Sequence, residues 1–62
     1  MDALVKKELE KNLTAIDNNL SIIINGENLT DEIIKNGFDG IRILVDYCEK
    51  LATEGVNAIE II

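Results

Sequence analysis

Between residues 30 and 53 the chain carries two adjacent apolar stripes at helical spacing. One reads Ile34, Phe38, Ile41, Val45, Cys48 and Ala52; beside it run Ile33, Gly37, Gly40, Leu44, Tyr47 and Leu51. Both advance by alternating steps of four and three, the period of a helix packed lengthwise on another. The preceding segment offers a single narrow stripe of Val5, Leu9, Leu13, Ile16, Leu20 and Ile23, flanked or opposed by Lys6, Lys7, Glu10, Lys11, Asp17, Asn18 and Ser21. One narrow stripe does not cover two. The pattern therefore predicts a second copy of the chain, or another protein, on the second helix. The expected dimer interface is Ile33, Gly37, Gly40, Leu44, Tyr47 and Leu51.

Size points the same way. With 62 residues the chain makes one domain. At about 1.5 kcal/mol per residue, ordering costs on the order of 90 kcal/mol. Burying ~3,500 Å² of apolar surface returns a similar amount. Small domains usually add disulfides, a metal or oligomerisation. One Cys and no His leave neither an intrachain disulfide nor a zinc site. Oligomerisation remains.

The sequence punctuates two helices. Asp2 is placed to cap a helix over residues 2–25, and Asn25 with Gly26 reads as its stop, Gly26 taking the left-handed conformation. Three consecutive Ile residues leave a strand over residues 20–25 as the competing reading. Thr30 is placed to cap a second helix over residues 30–54, with Asp31 and Glu32 favoured by the helix dipole in its first turn. Leu29 can staple onto Ile34. Gly55 is placed to end the helix, with Val56 folding back on Leu51. A loop of about five residues joins antiparallel neighbours. The apolar tail over residues 56–62 reads as a short strand or an extended packed segment. The expectation is an all-α helical hairpin, residues 1–62 as one domain, dimerising into a four-helix bundle.

Charge narrows the partners. The net charge is −6, and residues 1–12 sum to zero, so the excess lies beyond them. Nucleic acids and anionic membranes call for the opposite sign. A basic protein surface fits. The outer face of the second helix reads Glu32, Lys35, Asp39, Arg42, Asp46 and Glu49, with ion pairs expected four residues apart: Lys35 with Asp39, Arg42 with Asp46, Asp46 with Lys50. Expected partner-binding residues are Asp39, Asp46, Glu49 and Ile43.

Nothing in the chain resembles a catalytic or cofactor site. Without His the usual general base is missing. The carboxylate pairs Asp31 with Glu32 and Asp46 with Glu49 fall at a helix start and on an outer face. Cys48, in mid-stripe, reads as a small core residue. Asn25, Glu27, Asn28 and Asp31 around Gly26 depart from the spacing of a calcium loop. No signal peptide or membrane span is legible, and a lone Cys fits a reducing cytoplasm. The functional expectation is a small acidic non-enzymatic interaction module without cofactor. Its concrete form would be a phage or mobile-element inhibitor that blocks a larger host protein. The alternative is a purely structural homo-oligomerisation module.

Overall fold

The computed structural model describes residues 1–59. Helix α1 spans Ala3–Asn25 and helix α2 spans Asp31–Glu54, followed by a 3-10 turn at Gly55–Ala58. The two α-helices run antiparallel as a hairpin, 41 × 21 × 16 Å overall. Among the described residues there is no strand, so the competing reading of residues 20–25 gives way to a helix. Residues 56–58 of the tail are helical rather than extended, and residues 60–62 lie outside the described residues.

The N-terminal caps form as the sequence implies. The Asp2 carboxylate accepts from the Leu4 N–H at 2.8 Å, and the Thr30 hydroxyl accepts from the Ile33 N–H at 3.2 Å. Each satisfies a backbone donor that the first helical turn leaves without a partner. The C-terminal end of α1 differs from expectation. Gly26 is extended (φ −70°, ψ 145°), and Asn28 takes the left-handed conformation instead, at φ 57°. Room, rather than backbone freedom, accounts for the glycine. A Cβ at position 26 would sit 2.8 Å from both the Ile22 carbonyl oxygen and a Leu29 methyl.

At the far end Gly55 does adopt positive φ (65°), which L-residues resist, and its N–H donates to the Leu51 carbonyl. The chain then tightens into the 3-10 turn, so the contact expected of Val56 is made by Ala58. Leu51, Val5 and Ala58 form the buried cluster, with Leu9, Tyr47 and Ile59 packed against it; Val56 is exposed.

The seam between the helices follows one heptad pattern. On α2 it takes Ile34, Gly37, Ile41, Leu44, Cys48 and Leu51; on α1 it takes Val5, Leu9, Asn12, Ile16, Asn19 and Ile23. All twelve are buried or half-buried. In heptad letters these are the a and d positions. The two sequence stripes of α2 were a with e, and g with d. A single partner helix covers a and d, so the true seam draws alternate members from both stripes. The α1 stripe was likewise a with e. Its d positions are Val5, Asn12 and Asn19, while Leu13 lies outside the seam. The Asn12 side-chain amide donates to the Glu8 carbonyl of its own helix at 2.8 Å, which keeps one polar group satisfied there.

The two helix-interior glycines play different parts. A Cβ on Gly37 would come within 2.9 Å of Ile23 Cδ1, so Gly37 admits α1 at close range. A Cβ on Gly40 would meet nothing within 4 Å. Gly40→Ala should therefore recover the helix-propensity cost of glycine, about 1 kcal/mol. Thermal melts should show a midpoint raised by roughly 4–8 °C for a domain of this size. A lowered midpoint would mean that something outside the hairpin occupies the space above Gly40.

Candidate interaction surfaces

Three surfaces of the hairpin remain uncovered by its own chain, and each follows from the seam. Helix geometry, at 3.6 residues per turn, places the g positions on one flank and the e positions on the other. The g flank carries Ile22, Ile33, Gly40 and Tyr47. The e flank carries Leu13, Leu20, Phe38, Val45 and Ala52. The back of α2 carries Glu32, Asp39, Ile43, Asp46 and Lys50.

The residues expected to form a dimer interface are split by this arrangement. Leu51 is 0% exposed, enclosed by Val5 and Ala58 of its own chain, and offers nothing to a second copy. Gly37 faces Ile23, and Leu44 is half-buried in the same seam. Ile33, Gly40 and Tyr47 alone reach the outside, along the g flank; Ile33 is exposed and the other two are half-buried. The physical reason is the choice of columns. Once a and d pack on α1, the stripe built from g and d cannot act as one surface.

Asp39, Asp46, Glu49 and Ile43 are all exposed. Asp39, Ile43 and Asp46 share the back of α2, where Ile43 is 70% exposed, and Glu49 stands round toward the e flank. The expected ion pairs four residues apart do not form. Arg42 reaches back to Asp39 instead, at 2.6 Å, and this is the one ion pair among the described residues. Exposed pairs of this kind contribute about 0–1 kcal/mol. Asp46 and Glu49 stand without a cation in contact, which leaves their charge for the surroundings. Cys48 is half-buried in the seam.

The e flank is what sequence reasoning assigned elsewhere. The sequence pattern puts Leu13, Leu20, Phe38 and Val45 in packed stripes, and the structure sets them beside the seam. The signal for their true place was the pair Asn12 and Asn19, seven residues apart, at the inward positions of α1. The described residues enclose no cavity. They bring together no cluster of three or more metal-ligating side chains. No described helix is long and apolar enough to cross a membrane. Comparison with known protein families, curated proteins and solved structures gives no match.

Proposed function

We propose that the chain is a non-enzymatic protein-interaction module that acts by laying a helical face against a larger protein and blocking it. The observation that carries this reading is the shape of the exposed surface. Large apolar side chains (Leu13, Ile22, Ile33, Phe38, Ile43, Val45) stand outside a hairpin with no concave site among its described residues. Apolar side chains rimmed by charge are how protein surfaces dock, whereas small molecules need a pocket. The net charge of −6 selects a basic surface on the partner. Ile43, with Asp39, Asp46 and Lys50 on the same face and Glu49 toward the e flank, supplies an apolar anchor within a charged, mostly acidic rim, the usual anatomy of a specific interface.

Salt titration of a protein captured on the immobilised chain tests this. Screening shortens from ~10 Å at 0.1 M salt to ~3 Å at 1 M. Affinity should fall at least about tenfold over that range, because the contacts lie between exposed charges. Reversing Asp39, Asp46 and Glu49 to Lys should slow association and leave helix content unchanged, since all three are exposed. Affinity that ignores both salt and reversal would remove the acidic face from the account.

A further inference from the structure

The two flanks of the seam are not equivalent, and the difference indicates what covers one of them. The e positions of both helices in an antiparallel pair project to the same side. Leu13, Leu20, Phe38 and Val45 therefore form one strip. With Ile23 opposite Gly37, Leu13 stands level with Val45 and Leu20 with Phe38. Leu13 is 57% exposed, Val45 48% and Phe38 37%.

From Leu9 onward helix α1 is apolar at a and e, not at a and d. Its d positions past Val5 are Asn12 and Asn19, and its g positions are Glu8, Ala15 and Ile22, so Leu13 and Leu20 at e are the large apolar side chains beside the middle of the seam on that helix. The apolar arc of α1 is thus turned away from α2 and toward the e side, by roughly half of the 100° between successive residues. A helix in an isolated pair has no reason to turn its arc off the seam. A helix in a four-helix bundle does, because the bundle axis lies between its two neighbours. An apolar face of a, d and e positions is the pattern of such bundles.

Area agrees. A folded monomer of 6.9 kDa exposes about 4,000 Å² by the usual size scaling. This chain exposes 4972 Å². The excess of roughly 1,000 Å² is comparable with the ~800 Å² that each partner buries in a standard interface.

We infer that the e flank packs on the e flank of a second copy, giving a four-helix bundle in which each α1 lies against the partner's α2. Two arrangements bring e flanks together about a two-fold axis. An axis across the helices sets α1 antiparallel on α1, and one centred on the strip near Leu13 brings Asp17 against Glu10 of the partner subunit. An axis along the helices sets α1 on the partner's α2. Asp17 is then level with the partner subunit's Arg42, an opposite-charge pair, while Glu10 faces Glu49 of the partner subunit and Lys50 stays on the back of α2. The Arg42 guanidinium gives one donor to Asp39 of its own chain and has others to give. The acids Glu32, Asp39 and Asp46 all point away from this interface, which leaves Glu10 against Glu49 as the like-charge contact at close range. This surface is distinct from Asp39, Ile43 and Asp46 on the back of α2, and Glu49 borders both.

Sedimentation equilibrium at micromolar concentration should give twice the 6.9 kDa chain mass. Leu13→Glu should weaken self-association at least about a hundredfold, because isologous symmetry places the carboxylate in the bundle core twice. Ile22→Glu, on the opposite g flank, should leave the mass doubled. Charge exchange keeps the proposal testable should Leu13→Glu fail to fold. Asp17→Arg and Arg42→Asp should each weaken the homodimer on the order of tenfold. An equimolar mixture of the two should recover wild-type affinity, since each mixed dimer holds two opposite-charge pairs. A wild-type monomer, a dimer sensitive to Ile22→Glu but not Leu13→Glu, or a mixture no tighter than its components would overturn the arrangement.

Discussion

Leu51→Ala should leave the isolated chain without a cooperative folded state. Leu51 is fully enclosed at the open end of the hairpin, where Val5 and Ala58 close over it. Truncating a buried Leu removes its transfer free energy and leaves a cavity, about 2–5 kcal/mol together. A core in a chain this small rarely supplies more than about 3–5 kcal/mol. The loss is therefore of the same size as the whole stability. Ala58 sits after the Gly55 turn and has no long side chain with which to fill the space. Urea titration followed by circular dichroism should show the wild-type transition replaced by a sloping baseline. An unchanged midpoint would mean that the 3-10 turn does not close the core.

The second large effect is Leu44→Asp. Leu44 is half-buried in the seam, level with Ile16 at the register set by Ile23 and Gly37. The substitution combines lost packing with a carboxylate among apolar neighbours, on the order of 3 kcal/mol at a site with partial access to water. The outcome separates two accounts of the same residue. Were Leu44 a contact between copies, the variant would be a folded monomer at low concentration. As an intrachain residue it should lose helix at every concentration. Helix content measured across a hundredfold dilution series distinguishes them, and a helical, monomeric Leu44→Asp chain would contradict the seam described here.

Much of the fold was legible because caps and stops are local. Asp2 and Thr30 carry short side chains that accept from helix N–H groups two and three residues on, and that chemistry depends on nothing distant. The hairpin follows from two long helical stretches joined by the short loop at residues 26–30. The choice of seam was not legible in the same way. An a-with-e stripe and an a-with-d stripe differ by one helical position. Only the second helix decides between them. On α2 every candidate column is apolar, so Gly37, Leu44 and Leu51 could be placed on either side by pattern alone. What decided the matter is steric: α1 approaches closely at Gly37, and Ile23 fills the space. The half-buried amides of Asn12 and Asn19 follow from that register. Gly26 was misassigned for a related reason. Its sequence context resembles a left-handed stop, but the constraint is the crowding of the Ile22 carbonyl and the Leu29 methyls.

The exposed surfaces were legible only in part. Charge and exposure put Asp39, Ile43 and Asp46 on one outer face, as one turn of helix requires. The e flank emerges from elimination, once the seam has taken its own columns. Ordinary cores use Leu at the inward positions and leave Asn outside. Helix α1 inverts this, with Asn12 and Asn19 inward and Leu13 outward, which has a physical rationale when a second hairpin covers Leu13.

The most direct measurement is an isotope-filtered nuclear Overhauser experiment on an equal mixture of labelled and unlabelled chains. It separates contacts within one chain from contacts between chains. The account predicts that the Ile23 methyl and the Gly37 α-protons are close within a chain and silent in the filtered spectrum. It also predicts filtered cross-peaks from Leu13 and Leu20 to Phe38 and Val45 of the other copy. A filtered peak between Ile23 and Gly37, or filtered peaks confined to Ile22, Ile33 and Tyr47, would contradict it.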